Sequence, residues 1–162
     1  MVKITLAALL LSQFVFAHDG GHGPKLRDQP KYGGKVAAVI DKKEELAGAK
    51  AKILYKAELT KNNQNVVRVY LYSKDMKILQ LEGYESANGE LTFKDKRTRK
   101  KVMHEFALKK MPDASYEGKL PARPRRPYNI EVTLSGKERK FLTAFHGLCC
   151  FPVASKRWLN TL

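Results

Sequence analysis

Short runs of alternating apolar and polar residues, broken by turn formers about every 8–12 residues, constrain this chain more than any other feature. Ala51 to Thr60 sets Ile53, Tyr55, Ala57 and Leu59 on one face. Lys52, Lys56, Glu58 and Thr60 fall mostly on the other. Lys61-Asn62-Asn63-Gln64-Asn65 follows as a turn, because asparagine tolerates left-handed backbone and bonds its own main chain. Val66 to Ser73 then places Val67, Val69 and Leu71 opposite Arg68, Tyr70 and Tyr72. Two period-two runs joined by such a turn predict a β-hairpin.

The same reading predicts strands over Lys35 to Ile40, Lys77 to Glu82, Leu91 to Lys94 and Val102 to Lys109. Tyr116 to Leu120 reads as a short edge segment, Tyr128 to Leu134 alternates through Ile130, Val132 and Leu134, and Arg139 to His146 is the last strand. Asp41 to Lys50 reads as a loop or one helical turn, and Asn88-Gly89 as a tight turn. The prolines fall between the strands, where their missing N–H does least harm. With no amphipathic helix and no repeat, the expectation is an all-β fold. Its predicted form is an antiparallel β-sandwich of about eight short strands over residues 34–146, preferred to a barrel.

The N-terminus adds a compartment. Lys3, the mostly apolar Ile4 to Phe16 and Val15-Phe16-Ala17 together read as a signal peptide, residues 1–17, cleaved near Ala17. The apolar stretch is too short for a membrane span, which needs about 20 apolar residues. Cleavage there would start the mature chain at His18-Asp19-Gly20-Gly21-His22-Gly23 in a periplasmic or secreted protein. Residues 18–33 are rich in glycine, proline and charge, so they read as a flexible arm in which Leu26 and Tyr32 seek burial. Residues 147–162 read as a C-terminal tail.

A net charge of +15 favours anionic surfaces as partners. Much of it lies in two clusters, Lys94-Asp95-Lys96-Arg97-Thr98-Arg99-Lys100-Lys101 and Arg123-Pro124-Arg125-Arg126-Pro127. These are either solvated loops or docking elements for the cell envelope. A nucleic-acid partner is not expected, because neither interleaved aromatics nor a known motif accompanies the charge.

Histidine supplies the other candidate chemistry. A free amine and an imidazole at His18 form a chelate for copper(II) or another transition metal, with Asp19 and His22 as further ligands. His104 shares a face with Val102, Phe106 and Leu108, so it is either a packed rim residue or a further ligand reached by the arm. Adjacent Cys149 and Cys150 make a poor structural staple. They leave a vicinal disulfide, intermolecular bonds, a thiolate metal site with His146, or a tail without a structural role. Catalytic signatures are missing: there is no Gly-x-Ser-x-Gly elbow, P-loop, dinucleotide fingerprint or paired-histidine zinc helix. The expectation is a protein without catalytic turnover.

The leader His18-Asp19-Gly20-Gly21-His22-Gly23-Pro24, then Tyr32-Gly33-Gly34-Lys35-Val36, resembles the start of periplasmic metal-efflux adaptor subunits. Val66-Val67-Arg68-Val69-Tyr70-Leu71-Tyr72 with Ser73-Lys74-Asp75-Met76 is similar to compact sandwich domains that accompany such systems. The chain thus resembles small exported bacterial β-sandwich proteins associated with heavy-metal and copper handling. That resemblance implies a ligand role for His18 and metal-efflux or envelope proteins as partners. The leading expectation is a periplasmic protein that sequesters or delivers copper(II) through His18, Asp19 and His22. The alternative is a basic, non-catalytic module that docks on anionic envelope components.

Overall fold

The structure is a computed structural model that describes residues 26–149. Its eight strands are β1 (Lys35–Asp41), β2 (Tyr55–Lys61), β3 (Val66–Tyr72), β4 (Ser86–Lys94), β5 (Lys101–Lys110), β6 (Tyr116–Lys119), β7 (Tyr128–Ser135) and β8 (Lys140–Leu148). All pair antiparallel, in the order β1-β2-β3-β6-β5-β4-β7-β8, and the sheet closes into a barrel. This corrects the expected sandwich. Val39, Ile40 and Asp41 of β1 pair with Thr143, Leu142 and Phe141 of β8, so the ladder returns on itself and there are no two opposed sheets. Alternation along each strand is the same in both architectures, and only this pairing separates them.

The predicted β2–β3 hairpin is present, with register from Lys56↔Tyr72 to Lys61↔Val67. Inward residues follow the predicted faces: Ala57 and Leu59, then Val67, Val69 and Leu71, then Ile130, Val132 and Leu134 are all buried in one core. An eight-stranded barrel is just wide enough for side chains to fill, and Leu91, Leu108, Tyr116 and Phe145 complete the filling here. The segment after β1 is a 3-10 helix, Lys42–Lys50, capped by the Asp41 carboxylate, which accepts from Lys43 N–H at 2.9 Å. Just beyond it, Ala51 packs with Ile40 and Leu142 in a second small cluster.

Three local expectations are overturned. Asn88-Gly89 is no turn, because both residues lie inside β4, where Gly89 pairs with Phe106 on one side and Val132 on the other. A Cβ at Gly89 would overlap the Phe106 ring, so glycine here makes room for an aromatic side chain. Lys77 to Glu82 forms no ladder beyond one bridge, Tyr72↔Ile78. Tyr116 to Lys119 is not an edge, since it pairs with β3 and β5 at once.

The described end of the expected flexible arm is tied to the barrel wall. Glu58 points outward from β2, yet it is 0 % exposed because residues 31–34 cross over it. Its carboxylate accepts the N–H groups of Lys31, Tyr32 and Gly34, each at 2.8 Å, and the Tyr72 hydroxyl at 2.9 Å. Tyr32 stacks on Tyr70 with ring centroids 4.2 Å apart, and Asp28 pairs with Lys56 at 2.6 Å. Burial pushes the Tyr70 and Tyr72 hydroxyls far above the ordinary tyrosine range, and the neighbouring Glu58 adds to the rise at Tyr72. At Gly34 a side chain would meet the Leu59 carbonyl, so the strap passes at backbone contact.

Two substitutions test this account. Gly89→Ala should cost about 1–3 kcal/mol in urea unfolding, from overpacking against Phe106; pairing it with Phe106→Leu should recover part of the loss. Glu58→Gln keeps the size but sets an NH2 group against backbone N–H donors. It should cost about 2–4 kcal/mol, and amide exchange at Tyr32 and Gly34 should rise with it.

Candidate functional site at the basic end of the barrel

Antiparallel closure divides the connections between two ends. At one lie the start of β1, the β2–β3 turn, the β4–β5 hairpin, the β6–β7 connection and the end of β8. The registers fix this: Lys35 pairs with Leu59, Val66 with Lys119, Lys94 with Lys101, Phe93 with Tyr128, and Tyr128 with Leu148. The two basic clusters, separate in sequence, therefore share one end.

The hairpin tip brings Lys94, Lys96, Arg97, Arg99, Lys100 and Lys101, all exposed. Its turn is organised by Asp95, whose carboxylate accepts from the N–H groups of Arg97 and Thr98 and from the Thr98 hydroxyl, at 2.8–3.0 Å. Arg99 takes the left-handed conformation that the turn requires, φ 60. The backbone and hydroxyl of Thr98, then Arg97 N–H and nearby Arg125, hold the Asp95 carboxyl below its ordinary range.

The β6–β7 connection supplies Arg123, Arg125 and Arg126, also exposed. In the ring of strands β6 and β7 are separated by β5 and β4, so this segment must cross the barrel end. Leu120 anchors it, buried in the core, with its N–H donating to the Asn65 carbonyl at 2.9 Å. Crossing brings the arginines within electrostatic reach of Lys61 at the end of β2. Burial first, then Arg126 and Arg123, push the Lys61 ammonium below its ordinary value. Tyr128, buried where the segment enters β7, is pushed up to about 12 by desolvation against the opposing pull of Arg126.

The carboxylate on these five stretches is Asp95, which is spent on its own turn. Among the described residues the ion pairs sit elsewhere: Lys42–Glu45 at 3.4 Å and Lys110–Glu85 at 3.3 Å belong to the opposite end, and Lys56–Asp28 and the pairs of Arg68 with Glu117 and Asp113 to the wall. That opposite end mixes signs, with Asp41, Glu44, Asp75, Glu82 and Glu138 among its lysines.

His18, Asp19 and His22, the expected metal ligands, lie outside the described residues, as does Cys150. His104 is half-buried at the rim and stacks on Phe93, with centroids 5.9 Å apart. The His146 carbonyl accepts from the Lys35 ammonium, and Cys149 is a free, exposed thiol. Among the described residues no group of histidine, cysteine and carboxylate side chains has metal-site geometry. Lys61 and Glu58 were not singled out from sequence. Lys61 joins arginines some sixty positions away, a proximity with no local signal. Glu58 did carry one, an acid on a polar strand face opposite two tyrosines and downstream of Gly33-Gly34.

No family model, curated protein or solved structure matches the chain. Its functional reading therefore rests on the geometry of the basic end.

The depressed Asp95 carboxyl has a sign that can be checked. Its contribution to hairpin order is complete above the ordinary aspartate value, about 3.9, and is lost as pH falls through the lower folded value. Arg97 and Thr98 amide shifts should hold steady on acidification to about pH 4 and move only below it.

Proposed function

We propose that this protein is a non-catalytic attachment module whose basic barrel end docks on anionic components of the cell envelope. One observation carries the reading: chain closure gathers the 94–101 hairpin, Arg123 to Arg126 and Lys61 on one surface, with Asp95 their acidic neighbour. Like charges held close repel one another, and an external polyanion relieves that repulsion. A purely solubilising charge would be served as well by cations spread over both ends. The signal-like N-terminus favours the envelope over nucleic acid as the source of that anion. Engagement through exposed Lys and Arg side chains is long-range, fast and screened by salt.

Placement of charge, rather than its total, is what distinguishes this proposal. Lys96→Gln/Arg97→Gln/Lys100→Gln and Lys50→Gln/Lys74→Gln/Lys137→Gln remove equal charge from opposite ends. On immobilised heparin, a sulfated polyanion, the first variant should elute at clearly lower salt than the parent. The second should elute close to it. Equal losses would mean that only net charge matters, and the proposal would fall.

A further inference from the structure

Resting on that reading, we infer that the anionic partner is the phosphate headgroup layer of a lipid bilayer, met end-on by the exposed cations of the basic end. Shape favours a planar anion over a linear one. A linear polyanion is tracked by a groove, and this end is a set of projecting segments: a hairpin tip, a crossing connection and a turn. One depression lies beside Gln80, Glu85 and Met111 at the opposite end; another runs along the outer wall over Glu117 and Gly118 from Val66 and Lys119 at the margin of the basic end. Projecting cations suit a planar array of anions.

The chemistry of the projecting residues suits phosphate. Arg123, Arg125 and Arg126 are exposed in a segment stiffened by Pro121, Pro124 and Pro127, and a guanidinium fork matches phosphate oxygens bidentately. Lys96 and Lys100 add point charges on flexible stems. Between Lys94 and Lys101 the chain carries no apolar residue, and Leu120 and Tyr128 are both buried. Among the described residues the large exposed apolar side chains occur elsewhere: Leu46 on the 3-10 helix, Ile78 beyond β3, Met103 on the β5 wall and Tyr32 in the strap. An inserting protein would place such residues at its tip. Single-stranded nucleic acid would ask for aromatic platforms there, and none is exposed at this end among the described residues.

The orientation follows from the topology. With the basic end on the headgroups, Leu148 leaves the barrel at the bound face. From there the strap runs along the wall toward the Asp28–Lys56 pair, away from the bound face.

The test is cosedimentation of the full mature chain with vesicles of phosphatidylcholine alone, or with about 30 % phosphatidylglycerol, at low and at about 0.15 M salt. Binding should require the anionic lipid. Each basic residue near such a surface contributes roughly fivefold to partitioning. Lys96→Gln/Arg97→Gln/Lys100→Gln should therefore lower it at least tenfold, and so, independently, should Arg123→Gln/Arg125→Gln/Arg126→Gln. Lys50→Gln/Lys74→Gln/Lys137→Gln should bind as the parent does, with matched thermal melts certifying that every variant is folded. Heparin retention that depends on the basic end, without vesicle binding, would overturn the lipid assignment and leave the attachment module standing. Loss of both would overturn both. Tighter binding to a single-stranded oligonucleotide than to the vesicles at the higher salt would also overturn the lipid assignment.

Discussion

The pairing of β1 with β8 is the constraint on which the rest depends. Three residues of each strand close the ladder, Val39 to Asp41 against Thr143 to Phe141, and with that closure the sheet has no free edge. Closure also sorts every connection to one of two ends and every side chain to an inside or an outside. The inside is filled by aliphatic and aromatic residues. What remains for contact with partners is the two ends and the outer wall. On this chain those surfaces differ in kind: one end is nearly uniformly cationic, the other mixes charges, and part of the wall is covered by the strap.

The strap shows how a polar residue can serve as a structural centre. A buried carboxylate is costly unless it is paired or fully hydrogen-bonded, and four donors converge on Glu58. Three are backbone N–H groups from a segment with no regular structure of its own, so the same contacts that satisfy the charge also satisfy the segment. Gly33, at φ 72, and Gly34, pressed on the Leu59 carbonyl, let the chain wrap the carboxylate. The tyrosines of β3 complete the cover. Positions that look solvent-facing in a period-two reading are thereby drawn into a second, outer layer.

Several features were legible before the structure. Period-two alternation located most of the strands, the asparagine-rich turn located the β2–β3 hairpin, and both basic clusters fell between strands as expected. Asn88-Gly89 misled because the pair most typical of a hairpin turn serves here inside β4, where the absent side chain accommodates Phe106. Lys77 to Glu82 has the composition of a strand but makes only one bridge, Tyr72↔Ile78, beside the part of β3 that lies beyond its ladder with β6. The arm looked flexible because its own residues offer no core-forming pattern. Its described end, residues 31–34, is held by Glu58, more than twenty positions away.

By itself, then, the sequence determined the all-β character, the inward faces of the strands and the presence of two cationic segments, because these follow from residue chemistry and local periodicity. The tertiary structure decided that the sheet is a closed barrel rather than a sandwich, that Glu58 is buried, and that Lys61 and both cationic segments share one end. Each of those depends on pairings between residues far apart in the chain. Local alternation is the same whichever distant strand a given strand finds, so it carries no record of the choice.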